Sequence, residues 1–229
     1  MSEPRRVLLA GATGLVGRRA MEVAIEHPSL RLIALSRREA PMPSGAKMEM
    51  LVADPADWSE AVSAIAPDAV ICALGTTWRK AGQNEDAFRA VDHDLVLLVA
   101  RAAKEAGASN FVLVSSAGAE LSAKPLYLRV KAETETAVTK LRFKRLDILR
   151  PGLLRGPRGD DRRPLERLGI LASPIVDRFL RGGRRAFRSI DARLVAAAAL
   201  QCARERAAGR FVHDNDAIRR AVRRLEEKG

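Results

Sequence analysis

The sequence predicts a doubly wound α/β fold, a parallel sheet with helices on both faces and a small C-terminal α/β extension in the same domain. Three observations carry this. Short apolar runs alternate with segments of helical periodicity almost from the first residue. The first run leads straight into a glycine-spaced turn and then a helix. The chain has 229 residues, 47% of them apolar, which is enough for one sizeable core.

Taken in order, Val7–Ala10 reads as a short buried strand, and after the glycine turn a helix runs to about Ile25. Arg31–Leu35 is the second strand, 41–45 a loop and Met48–Val52 the third strand. Trp58–Ile65 is a short helix, Ala69–Leu74 the fourth strand and 75–84 a polar loop. A single long helix is expected from about Asp86 to Ala106, with Phe88, Val91, Leu95, Leu98 and Ala102 recurring at helical spacing and Gly107 at its C-terminal end. Phe111–Val114 is strand five, Tyr127–Leu141 a helix, and Leu146–Leu149 strand six, stopped by Pro151-Gly152. A long loop from Gly152 precedes a helix near Leu165–Leu180, and long loops are often functional. Phe187–Ile190 reads as a short strand, and Asp191 caps an Ala-rich helix to about Ala208. Phe211–His213 is the last strand and Ala217–Lys228 the last helix. The economical reading is one domain over 1–229, with the part from about 152 on the substrate side.

Composition narrows the function classes. No apolar stretch approaches the roughly 18 residues of a membrane span. The N-terminal apolar run is too short for a signal peptide, so a cytoplasmic protein is expected. Cys72 and Cys202 are the only cysteines and have no paired spacing, so they read as buried small side chains. His27, His93 and His213 lack ligand-spaced neighbours and read as surface or capping residues; no metal is expected. The net charge of +12 raises nucleic acid as a partner. The arginines are scattered, however, and aromatics are only 4%, so stacking platforms are scarce and that reading is set aside. Attraction of a phosphorylated cofactor accounts for part of the charge.

The turn after strand one reads Gly11-Ala-Thr-Gly14-Leu-Val-Gly17-Arg18. Between a strand and a helix this spacing fits a dinucleotide. Gly11 permits the tight turn, Gly14 lets the backbone approach the pyrophosphate, and Gly17 lets the helix pack on the sheet. The helix start then offers free N–H groups to phosphate. An NAD site usually carries an acid at the end of strand two, for the ribose 2′-hydroxyl. Here Ser36-Arg37-Arg38 stands instead, and two guanidinium groups with a hydroxyl suit a 2′-phosphate, with Arg18 able to contribute. The cofactor expected is therefore NADP(H). Asp54 sits where an adenine contact is usual, and equally where a turn-capping Asp would. Leu74, Gly75, Thr76 and Thr77 should pass along the cofactor.

Strand five ends in Ser115-Ser116, and a helix then carries Tyr127-Leu-Arg-Val-Lys131. Positions i and i+4 share a helix face. An ammonium there favours the phenolate and can hold a ribose, and such a phenol can exchange a proton with an oxygen on carbon undergoing hydride transfer. One of Ser115 and Ser116 would orient that oxygen; adjacent strand residues point opposite ways, so the sequence leaves both open.

With these residues in place, the chain resembles the short-chain dehydrogenase/reductase superfamily, and within it the atypical branch of Tat-interacting-protein oxidoreductases. The matching stretches are 11–18, 36–38, 74–77 through 80–82, 91–92, 113–116, 127–131 and 150–154, about two-thirds of the chain. The resemblance implies that Tyr127 is the proton donor/acceptor and Lys131 a cofactor ligand. It implies NADP(H) contacts at Thr13, Gly14, Leu15, Val16, Arg37, Arg38, Leu74 and Gly75. Pro151 falls within a matching stretch, and Leu154 and an arginine of the Arg162-Arg163 pair would meet the nicotinamide end or the phosphates. Many relatives carry Asn where Asp92 stands. Only roughly 75 residues follow strand six, little to hold a sugar nucleotide. The leading expectation is an NADP(H)-dependent oxidoreductase on a small carbonyl or alcohol. The alternative is a non-catalytic NADP(H)-binding redox sensor acting through a protein partner.

Overall fold

The computed structural model describes residues 4–27, 29–156 and 187–226. Arg162 and the helix expected over Leu165–Leu180 lie outside them.

The strands are β1 (Arg5–Ala10), β2 (Leu30–Ser36), β3 (Glu49–Val52), β4 (Ala69–Cys72), β5 (Asn110–Val114), β6 (Arg145–Leu149), β7 (Leu154–Arg155), β8 (Ile190–Asp191) and β9 (Gly209–His213). The helices are α1 (Leu15–Ala24), α2 (Trp58–Ile65), α3 (Glu85–Arg89), α4 (Leu95–Glu105), α5 (Leu126–Lys140), α6 (Ala192–Arg204) and α7 (Asn215–Glu226). Seven strands form one sheet in the order β3-β2-β1-β4-β5-β6-β9, every pair parallel. Strand order reverses between β1 and β4. The carboxyl ends of these strands therefore diverge into a crevice, the place where such folds hold ligands.

Alternate residues face opposite layers. Val7 and Leu9, Ala69 and Ile71, and Val112 and Val114 pack in one core with α1, α6 and α7. Leu8 and Ala10, Val70 and Cys72, and Phe111 and Leu113 pack in the other with α2, α4 and the end of α5. Each fully buried Leu or Val stabilises the fold by about 1.5–3 kcal/mol. Six of the ten buried residues of helix α6 are alanine, which lets it lie close to α1 and the sheet. The Asp191 carboxylate caps it by accepting from the Arg193 N–H at 2.8 Å.

Four expectations are corrected. The helix expected across Asp86–Ala106 is interrupted: a π-helical turn at Ala90–Asp94 separates α3 from α4. The inserted residue shifts the inward face by one position, so that Asp92, Val96 and Val99 are buried where Val91, Leu95 and Leu98 were expected. Phe187 lies outside β8, which begins at Ile190, and α6 ends at Arg204 rather than Ala208. His213 is neither a surface nor a capping residue. It is 8% exposed, and its Nε2 lies 2.7 Å from Asp147 Oδ1.

Candidate active site

The glycine turn is shaped by close approaches. Gly11 has φ +91°, and a Cβ there would lie 2.6 Å from the carbonyl carbon of Ala73 and 2.8 Å from Leu74 N. A Cβ on Gly17 would lie 2.1 Å from Gly11 O. Gly14 differs: its nearest neighbour would be Gly11 O at 3.2 Å, and the residue is exposed. Gly11 thus packs on the segment just after β4 and Gly17 packs α1 on the turn itself, while Gly14 keeps an open backbone at the N-terminus of α1. Val16 is buried, while Thr13, Leu15 and Arg18 are half-buried around it. This cradle fits a dinucleotide pyrophosphate.

At the end of β2, Ser36 is buried and its hydroxyl donates to Arg38 O at 2.7 Å, which fixes the following turn. Arg37 and Arg38 are exposed and pair with no carboxylate among the described residues. Asp54 accepts from Ala56 N–H at 2.9 Å and starts the short 3-10 turn Pro55–Asp57, a capping role.

The segment after β4 joins the glycine turn to α5. Ala73 and Leu74 press on Gly11, and Gly75 presses on two side chains from elsewhere. A Cβ at Gly75 would lie 3.3 Å from Asp92 Oδ1 and 3.5 Å from Lys131 Nζ. Asp92 is fully buried on the π turn. Its Oδ2 accepts from Thr76 N–H at 2.7 Å, and its Oδ1 is 2.8 Å from Lys131 Nζ. The Thr134 hydroxyl donates to its backbone carbonyl at 2.9 Å. Burial alone would push the Lys131 ammonium down; the Asp92 charge, the Tyr127 phenol and the Asp92 hydrogen bond together outweigh it and hold it above its ordinary value. Lys131 therefore stays charged in the interior. One helical turn away, the half-buried Tyr127 ring has its centroid 6.0 Å from Lys131 Nζ.

The two serines separate. Ser115 is buried, and its hydroxyl donates to Glu135 Oε1 on α5. Glu135 also pairs with Arg150 at the end of β6, and that pair raises the Arg150 value. Ser115 thus belongs to a network tying β5, α5 and β6. Ser116 donates only a 3.2 Å bond to the Ala117 carbonyl and is half-buried. Pro151 is buried and its carbonyl accepts from Ala117 N–H at 2.8 Å, while Leu154 is half-buried in β7.

Sequence reasoning did not place Asp92 among the site residues. The signal lay in the resemblance, where Asp92 stands at a position that many relatives fill with Asn, and Asp92 is flanked by other charged residues that hide it as a buried acid. Among the described residues one buried group has metal-ligand types, Asp147, Cys202 and His213. Arg145 donates to both Asp147 oxygens, at 2.6 and 2.9 Å, so the carboxylate is already neutralised and the cluster serves as an ion-pair network. Burial pushes both thiols up, Cys72 to about 11 and Cys202 well above the ordinary value.

Both fold and site define a nucleotide-binding α/β protein, and comparison with known proteins makes the assignment. Residues 11–169 match the NAD(P)H-binding family model, so the chain belongs to that family. It is similar to the mitochondrial protein fmp52 of Emericella nidulans, with 40% identity over 167 residues, covering 70% of this chain and 71% of that one. FMP52 of Saccharomyces cerevisiae is 41% identical over 154 residues, covering 66% of each chain. Both relatives are named as mitochondrial, which overturns the expected cytoplasmic location. Among solved structures, MoeE5 in complex with UDP-glucuronic acid and NAD superposes with a TM-score of 0.69 at 17% identity, covering 90% of this chain and 75% of that one. UDP-glucose 4-epimerase of Thermotoga maritima gives 0.68 at 14% identity, covering 97% and 82%. At such identities these neighbours show the fold. Among the described residues, no helix is long and apolar enough to cross a membrane.

Proposed function

We propose that the protein is an NADP(H)-dependent oxidoreductase that interconverts a small carbonyl compound and its alcohol, in the manner of the atypical short-chain reductases. One observation carries the reading: Lys131, one helical turn from Tyr127 and 6.0 Å from its ring centroid, sits against Gly75, on the segment that also packs on the glycine turn. The phosphate cradle and Lys131 are thus joined by one run of backbone along the carboxyl edge of the sheet.

Gly14 and the first N–H groups of α1 would hold the pyrophosphate, Arg37 and Arg38 the 2′-phosphate, and Lys131 the nicotinamide ribose. Bound along this edge, the cofactor supplies a hydride for the carbonyl carbon. The Tyr127 hydroxyl donates a proton to the carbonyl oxygen, and Lys131 favours the phenolate left behind. Asp92 keeps the Lys131 ammonium charged and pointed at the Gly75 edge. Ser116, free of the Glu135 network, orients the carbonyl oxygen.

The test is a panel of aldehydes and ketones with NADPH, followed at the reduced nicotinamide band. Tyr127→Phe keeps the ring and its packing but removes the exchangeable proton. It is expected to lower kcat about 10²-fold or more with NADPH affinity little changed. A wild type that turns over a substrate while Tyr127→Phe is equally active overturns the mechanism. Tight NADPH binding without turnover across the panel favours a cofactor-binding sensor instead.

A further inference from the structure

Trp78 lies in the segment between β4 and α3 and is 40% exposed. It is not on a loose loop. Gln83 N–H donates to Trp78 O at 2.9 Å, Ala81 N–H to Thr77 O at 3.0 Å, and Lys80 N–H to Thr77 Oγ1 at 3.2 Å. Gly82 and Gln83 both adopt the left-handed conformation, with φ +66° and +59°, and so complete a closed turn. The indole meets Phe88 edge-on, with centroids 6.2 Å apart. Phe88 is fully buried and meets Tyr127 edge-on in turn, at 5.8 Å. Three rings therefore run without a gap from solvent to the phenol.

A second exposed ring stands near the same strand ends. Phe187 is 49% exposed and lies over Gly118, two residues beyond Ser116; a Cβ at Gly118 would be 3.0 Å from its Cε1 and 3.4 Å from Leu128 Cδ1. A half-exposed indole held by a closed turn, in edge contact with a ring that itself meets the phenol, offers a preformed face against which a flat apolar group can pack.

We infer that the substrate is an aldehyde or ketone bearing an aromatic ring, and that Trp78 is the residue that selects it by packing against that ring. The inference rests on the carbonyl-reductase reading above. The reaction adds a hydride from NADPH to the carbonyl carbon and the Tyr127 proton to its oxygen. It releases NADP⁺ and the arylcarbinol, and the phenol regains its proton from water. An aromatic pair is worth enough beyond area burial for a preference of about tenfold over an aliphatic substrate of equal size.

The experiment has a kinetic and a binding arm. In the first, kcat/KM is measured for benzaldehyde and cyclohexanecarbaldehyde with the wild type, Trp78→Ala and Trp78→Phe, each checked for fold by circular dichroism. The wild type is expected to prefer benzaldehyde about tenfold. Trp78→Ala should lose that preference mainly through KM, and Trp78→Phe should keep most of it. Turnover with no aromatic preference, or a ratio unchanged in Trp78→Ala, overturns the inference while leaving the reductase reading intact. In the second arm, benzyl alcohol is titrated into the NADP⁺-loaded protein and tryptophan emission is read. The only other tryptophan, Trp58, is buried. Saturable quenching in the wild type that is absent in Trp78→Phe supports the inference even if no carbonyl is turned over, the outcome that sinks the reductase reading. Its absence from the wild type overturns it.

Discussion

Asp92 Oδ1 and Lys131 Nζ lie 2.8 Å apart with both side chains buried, a charge pair beneath the edge where the cofactor segment passes. Its strength has a definite pH signature. The Lys131 value is raised in the folded protein, so its stabilisation is complete below the unfolded value and is lost as pH rises through the folded one. Wild-type stability should therefore fall at alkaline pH, above about 10.4. Asp92→Asn leaves the ammonium buried without its partner and should cost about 3–5 kcal/mol near neutrality. The alkaline fall due to this pair should then disappear. Urea unfolding between neutral and strongly alkaline pH measures both; identical pH slopes for the two proteins would refute the assignment.

Gly14 and Gly17 should fail in different ways. Gly14→Val puts a side chain into the open cradle, so NADPH binding is expected to vanish with the fold retained. Gly17→Ala drives a methyl into Gly11 O and should destabilise the protein itself. Calorimetric titration with NADPH, paired with thermal unfolding, separates them. Unchanged affinity in Gly14→Val would put the phosphates elsewhere.

Cofactor choice should reside in Arg37 and Arg38. The wild type is expected to bind NADPH at least about tenfold more tightly than NADH, since charge-assisted bidentate bonds exceed 1.4 kcal/mol. Arg37→Ala with Arg38→Ala should erase the difference by weakening NADPH alone. Equal affinities in the unmodified protein would rule this out.

The two serines should divide stability from turnover. Ser115→Ala leaves the Glu135 carboxylate short of a donor in the interior, a loss of about 1–3 kcal/mol. Ser116→Ala should leave unfolding nearly unchanged and lower kcat. A kcat loss confined to Ser115→Ala would reverse these roles.

The glycine turn, the alternation of strands and helices and the Tyr127–Lys131 spacing were legible because each is written within a few neighbouring residues. What was not legible depended on distance or on count. His213 was read as a surface or capping residue because its sequence neighbours offer no ligand spacing, yet its partner is Asp147, far back in the chain on the adjacent strand of the sheet. The roles of Ser115 and Ser116 turned on Glu135, which no local pattern links to them. Asp92 was noticed as an oddity but not placed in the site, because the apolar spacing from Phe88 to Ala102 fits an unbroken helix equally well.

The π turn at Ala90–Asp94 makes chain length a functional variable in its own right. Each residue advances an α-helix by about 100°. Phe88, Asp92 and Val96 can all face inward because one residue more than the α-helical count separates the two straight segments. A deletion of His93 would remove no group assigned a task in this site. It would still rotate everything before the turn against everything after it, pulling the Phe88 ring from the Trp78–Tyr127 wall or Asp92 from Lys131. Such a site tolerates many single replacements nearby and very few insertions or losses. Its constraint is metrical, carried by the number of residues between two fixed points.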